Sequence, residues 1–234
     1  MTTFRLLALA GLAAIAGCAA PPDHFHTLRP AVAPAPAPAG ARAAPRLLAI
    51  GPVTVPDALA RDEWVIRTGD TGATVYDHQL WTQGLGADVA QSLVDHLNRG
   101  GLPDGLWADA GPTGSGSGTD LERPAPLRVR VQVLRFDSML APSPGVADQV
   151  RWTIECLPSD AALGPLDAGR YRVVRTAVRD AGGPAPAANA GVDESQRRFD
   201  QVARAHADTV RQVAEDVAAA LRDSADERAR SCVR

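Results

Sequence analysis

From Phe199 to Leu221 the residues Phe199, Val202, His206, Val210, Val213, Val217 and Leu221 recur at spacings of three and four. That is one stripe along an α-helix of roughly thirty residues, too amphipathic to stand free in water, so it must cover something. The same chain offers the partner. Leu127, Val129, Val131 and Val133 alternate strictly with Arg128, Arg130 and Gln132, which is the period of a strand with one buried face. Asp193 stands as N-cap of the helix, with Gln196 three residues on in capping-box position.

The other elements follow by the same reading. Leu47–Val55 reads as a strand interrupted at Gly51-Pro52 and ended by Pro56; Trp64–Thr68 and Ala73–Tyr76 read as short strands around the turn Gly69-Asp70-Thr71-Gly72. Leu85, Val89, Leu93 and Leu97, with Ala90 and Val94 alongside, predict a second amphipathic helix that Asn98-Arg99-Gly100-Gly101 stops. After Val133 the apolar residues shift to Leu134 and Phe136, which predicts a bulge or bend. Val150, Trp152, Ile154 and Cys156 share the buried face of the next strand, and 169–179 reads as another. The stretches 103–126 and 180–192 read as loops, and Phe25-His26-Thr27-Leu28 as a short strand-prone segment able to dock on the domain. The expected fold is a single α/β domain, a mixed and largely antiparallel sheet packed against two helices, preceded by a disordered Pro/Ala-rich tether.

The N-terminus points to export. One positive charge, Arg5, precedes an apolar run, Leu6–Ala16, too short to span a bilayer but right for a secretory signal peptide. The run closes on Ile15-Ala16-Gly17-Cys18, the pattern of a bacterial lipobox, so Cys18 is the expected lipidation site and the new N-terminus. Ala19 after it, rather than Asp, signals outer-membrane sorting, with the body facing the periplasm. The expected segments are 1–17 signal peptide, 18–46 lipidated N-terminus and tether, 47–225 domain, and 226–234 tail. In an oxidising compartment Cys156 and Cys232 are a candidate disulfide; the alternative is a buried Cys156 and a Cys232 in a frayed tail.

Composition excludes several chemistries. The formal net charge is −3, which argues against a nucleic-acid partner. Every basic residue is arginine, so neither a Schiff-base lysine nor a P-loop lysine beside Gly111–Gly118 exists. No G-x-S-x-G or H-E-x-x-H occurs, His24 and His26 lack a third ligand of suitable spacing, and the expectation is no catalytic residue, no metal and no cofactor. Arg128, Arg130, Arg151, Arg170 and Arg172 form either a basic sheet face for phosphate headgroups or an acidic partner, or a solvated face balanced by Glu155; the second reading is favoured.

Three segments together resemble the PqiC-type ABC-transport auxiliary lipoproteins, which accompany mammalian-cell-entry (MCE) lipid-transport systems. Phe25-His26-Thr27-Leu28 is similar to an aromatic-Tyr-Thr-Leu segment after the lipid cysteine. Ile50–Arg61 with Val65-Ile66-Arg67 is similar to a strand reading G-P-V-x-V-P-x-Y-L-x-R with a downstream I-V-x-R, Ala58 replacing the aromatic. Leu80-Trp81-Thr82-Gln83-Gly84-Leu85 stands where the family has R-W-A-E-P-L at a helix start. The resemblance implies a non-enzymatic outer-membrane lipoprotein that docks the periplasmic MCE component of an ABC lipid transporter. Pro56, Leu59, Arg61 and Trp81 are the candidate partner-binding residues, a structural envelope lipoprotein is the alternative, and self-association is open.

Overall fold

The alternating residues of 127–133 are the first half of the strand on which the whole sheet is organised. The computed structural model describes residues 21–31, 46–100, 102–103, 106–110, 127–156, 172–186 and 193–223. In chain order the elements are β1 (His24–His26), β2 (Arg46–Thr54), a 3-10 turn (Asp57–Leu59), β3 (Glu63–Arg67), β4 (Ala73–Trp81), α1 (Leu85–Gly100), β5 (Leu106–Asp109), β6 (Leu127–Met139), β7 (Gly145–Cys156), β8 (Arg172–Pro184) and α2 (Glu194–Arg222).

One edge of β6 pairs antiparallel with β7 along its whole length, from Leu127↔Cys156 to Met139↔Gly145. The other edge is shared. Its first half pairs parallel with β2, Leu48↔Leu127 to Thr54↔Gln132, and its second half with β3, Ile66↔Ser138 and Arg67↔Met139. β5 extends the β2 branch, β4 and then β1 extend the β3 branch, and β8 lies outside β7. Among the described residues the result is an open, mixed, eight-stranded sheet whose long ladders are antiparallel.

The expected phase change in β6 is a register shift between Val133 and Arg135. It keeps Phe136 and Ser138 on the same buried side as Val131 and Val133, which alternation alone would have turned outward. The interruption of β2 is a second shift, between Ile50 and Val53, at Gly51-Pro52. α1 lies over β2 and β5, α2 over β7 and β8, and the two helices touch each other. The α1 stripe, Leu85, Val89, Leu93 and Leu97, is buried in the core, as are Phe199, Val202, Val210, Val213, Val217 and Leu221 of α2.

Several boundaries differ from expectation. Strand β5 falls inside the stretch read as a long connection, because Leu106-Trp107-Ala108-Asp109 is too short to show a period. β8 continues through Asp180–Pro184, read as loop, because the partner ladder of β7 recruits glycines with no strand preference of their own. β4 runs on to Trp81, so Trp81 ends a strand and does not start a helix. Asp193 is the N-cap of α2 but its side chain makes no capping bond, and Gln196 instead donates to Asp200 at 3.1 Å, so the capping box is not formed.

β1 docks on β4 before the Ala/Pro-rich run begins. That run therefore joins two strands of one sheet, and only residues 19–23 separate Cys18 from the folded body.

Candidate functional site

The three family-like segments, far apart in sequence, meet at the N-terminal end of α1. Thr82 N–H donates to the His26 carbonyl at 3.0 Å, and Trp81 N–H to the Asp62 carbonyl at 2.8 Å, so the ends of β4, β1 and the 56–62 loop are stitched together. Beneath the stitch lies Asp88, fully buried in the first turn of α1. It accepts from Thr27 Oγ1 at 3.0 Å, Thr82 Oγ1 at 3.3 Å and Leu28 N–H at 3.4 Å. Burial pushes its carboxyl above the usual range, while those hydrogen bonds and Arg29 pull the other way. The position at a helix N-terminus also favours the charged form.

Two further residues of α1 complete a clasp on the N-terminal segment. Ser92 Oγ donates to the Leu28 carbonyl at 2.9 Å, and Asp95 accepts from Arg29 Nε at 2.8 Å. Leu28 itself is fully buried. Asp88, Ser92 and Asp95 are spaced four and three apart, a polar stripe beside the apolar one, and that spacing is the sequence signal for the clasp. On the next layer His26 Nε2 donates to Gln79 Oε1 at 2.6 Å, Gln79 to Gln196 at 3.3 Å, and Gln196 to Asp200 at 3.1 Å. Burial lowers the His26 pKa, against the opposing pull of Gln79 and Asp200.

The entry into α1 turns on Gly84, whose φ of 73° is a left-handed value that proline cannot adopt. A Cβ there would also stand 3.4 Å from Asp62 Oδ1. Where the resembled pattern has proline, this chain therefore starts its helix through a different turn.

Of the four candidate partner residues, the structure exposes one fully. Arg61 is exposed at the tip of the loop; Pro56 and Leu59 are half-buried, Leu59 packed against the core. Trp81 is 4% exposed, its ring 4.5 Å from that of Trp64, so any part it plays at a surface is through holding β4 in place. The structure does bring all four to one corner, where Asp57, Ala58, Thr82 and Gln83 are also exposed. Cys18 and Cys232 lie outside the described residues, as does the side chain of Cys156, whose backbone pairs with Leu127.

A second polar assembly lies under α2. His206 Nε2 is 2.8 Å from Ser138 Oγ, and His206 Nδ1 faces Asp148, 2.8 Å from Oδ1 and 3.0 Å from Oδ2, with the hydrogen bond directed at Oδ2. This is the bond order of a Ser-His-Asp relay. It is closed to any substrate in this form: His206 and Ser138 are fully buried and Asp148 is 3% exposed. Trp64 Nε1 donates to Ser138 Oγ at 2.8 Å, and Phe136 stacks on the imidazole at 3.7 Å. An apolar cavity beside Phe136 and Val210 is about 10 Å³, room for one water at most. The three groups fasten α2 to β6 and β7. His206, a member of the apolar stripe in the sequence, is thus a central buried polar group of the core.

On the outer face of the sheet one arginine meets a carboxylate and another a neutral amide. Arg130 Nε pairs with Glu155 at 2.6 Å and Arg151 donates to Gln132 at 3.3 Å; Arg170 and the side chain of Arg172 lie outside the described residues. A cleft of about 220 Å³ between the C-terminal ends of the helices is lined by His96, Arg99, Arg211 and Arg222. Arg211 is already paired with Glu215 at 2.7 Å and Asp208 at 3.3 Å, and helix C-termini disfavour anions. Among the described residues no cluster of three metal-ligating side chains occurs and no helix is long and apolar enough to cross a membrane.

A family model described as the ABC-type transport auxiliary lipoprotein component matches residues 26–218. Among solved structures the chain is similar to a Xanthomonas campestris protein of family DUF330, at 17% identity over 83% of this chain and 91% of that one, with a TM-score of 0.49. It is also similar to an uncharacterized protein, at 18% identity over 74% and 90% and a TM-score of 0.49. A hypothetical protein from Chlamydia trachomatis aligns at 13% identity over 74% and 96%, with a TM-score of 0.42. No curated protein is similar enough to count as a match.

Proposed function

The chain belongs to the ABC-type transport auxiliary lipoprotein family, and from that premise we propose that it is the non-enzymatic docking lipoprotein of an MCE-type lipid transporter. In this reading Cys18 carries the lipid and Ala19 directs the protein to the outer membrane, where the body faces the periplasm. The exposed corner at Pro56–Arg61, backed by Leu59 and Trp81, receives the periplasmic MCE protein.

The convergence of the three family-like segments on that one corner is the observation that supports this reading. Here they build a loop with an exposed arginine on a support of buried hydrogen bonds, a rigid base for a contact. A further copy of the chain is a second candidate for the same corner, and no cofactor is needed.

Co-expression with an MCE protein encoded beside it, followed by cross-linking and affinity capture, tests the reading. Capture of the MCE component by the native chain, and its loss in Arg61→Glu, is the expected result. Failure to recover any MCE protein would leave the structural envelope lipoprotein as the better account.

A further inference from the structure

Cys18 and the first docked strand are near neighbours in the chain. Six residue steps separate Cys18 from His24, and a fully extended chain covers about 3.5 Å per step, so β1 stands no more than roughly 20 Å from the lipidated residue. The Ala/Pro-rich run adds nothing to this reach, since it follows β1. The attachment point is also firm: His26 and Leu28 are buried, and Arg29 is tied to Asp95. A short leash on a rigid point leaves the body little choice of which side it turns to the bilayer.

The side it turns carries an exposed aromatic. Phe25, in edge strand β1, is 64% exposed, more than Val178 at 46%, Val75 at 39% or Leu47 at 38%. Alternation with buried His26 points it away from the core, and its register partner on β4 is the half-buried Leu80, where the resembled pattern has arginine. Of the charges around it, Asp23 is hydrogen-bonded to His78 at 2.8 Å and Arg29 is paired with Asp95 at 2.8 Å, while Glu63 of β3 stands opposite Leu80 at the rim of the patch. Aromatic side chains of this kind are favoured at the boundary between headgroups and acyl chains.

We propose that Phe25, backed by Leu80, rests in the interfacial layer of the membrane that holds the lipid anchor. The proposal rests on the reading of Cys18 as lipidated. The acyl chains retain the protein, and the aromatic residue adds a second point of contact that fixes its orientation. The N-terminal end of α2 lies at the same edge, against the inner face of β1 and β4 through Gln196 and Asp200, while its 29 residues carry Arg222 about 43 Å away along the helix axis. The occupant is the bilayer rather than a protein partner because the leash holds the edge strand near the membrane whether or not a partner is present.

The test uses the full-length lipidated protein in vesicles of phosphatidylethanolamine and phosphatidylglycerol. A benzophenone-bearing phenylalanine analogue is placed at position 25 in one sample and at exposed Asp223 in another, and both are irradiated. Mass spectrometry should find a phospholipid adduct at position 25 several-fold more often than at 223. Equal yields at the two positions, or an adduct at 25 to a second copy of the chain in place of lipid, would overturn the proposal. The mass of the N-terminal peptide separates the two failures: an acylated Cys18 without the adduct overturns only the Phe25 contact, whereas an unacylated Cys18 overturns the anchoring reading and this contact with it.

Discussion

Two polar assemblies buried among the described residues do opposite work. The one under α2, Ser138, His206 and Asp148, joins elements that are already held by a large apolar interface, and each of its three members is sealed from solvent. The one at the start of α1, Asp88, Ser92 and Asp95, adds to the pairing with β4 in holding a segment of only a few residues, and its partners lead outward to exposed Thr27 and half-buried Arg29. Relay-like hydrogen-bond order is thus no sign of a working site when no room exists beside it. A clasp on a chain entry, next to an exposed loop, is the better pointer to where the molecule meets others.

The sealed assembly should give the largest losses. His206→Leu removes one partner of a buried pair and leaves Asp148 without its hydrogen bond, at a cost of about 3–5 kcal/mol. Denaturant unfolding should show that loss, and a variant as stable as the native chain would mean that the network does not fasten α2. Val213→Asp, at a position 1% exposed on the same helix, should cost several kcal/mol through an unpaired charge, read as a marked fall in melting temperature.

At the clasp the expected losses are smaller and local. Asp88→Ala leaves the Thr27 and Thr82 hydroxyls and the Leu28 N–H without their acceptor, about 1–3 kcal/mol, so hydrogen exchange should rise first around residues 24–29 while α2 stays protected. Uniformly faster exchange would show that the clasp is part of the global core instead.

Acidification separates the clasp region further. Because burial lowers the His26 pKa below its ordinary value of 6.5, the unfolded chain binds the proton more readily, and the His26 contribution to stability is lost as pH falls from 6.5 towards the depressed value. Asp88 acts in the opposite sense, its raised pKa favouring the folded form as pH falls towards 3.8. Native stability should therefore decline on mild acidification, and His26→Gln should flatten that decline; an unchanged slope would rule His26 out as its source. The smallest effect on stability belongs to Arg61→Glu, within about 0.5 kcal/mol for an exposed side chain, while capture of the MCE partner should fall several-fold.

Much of the layout was legible beforehand. The stripe of α2, the α1 helix and its glycine stop, the interruption of β2 and the shift of phase in β6 all stand where periodicity put them, because each is a local pattern with a single way to bury its apolar side. β5 and the second half of β8 were not legible, since short or glycine-rich segments become strands only when a neighbouring edge offers its hydrogen bonds. The candidate corner was legible only as separate segments. His206 sat visibly on the apolar stripe, but its partners Ser138 and Asp148 lie in other strands, and nothing local joins them to it.

What the amino-acid order determined by itself is therefore the two helices, the cores of the long strands and the faces they bury, each readable within a window of a few turns or strands. The tertiary structure alone decided that β6 divides its free edge between two branches, that His24–Leu28 docks before the Ala/Pro-rich run, and that the three family-like segments share one corner. The reason is physical. Periodicity records which side of an element is buried, whereas pairing, docking and the closing of long-range hydrogen bonds depend on which distant edges and donors are left over once those sides have been buried together.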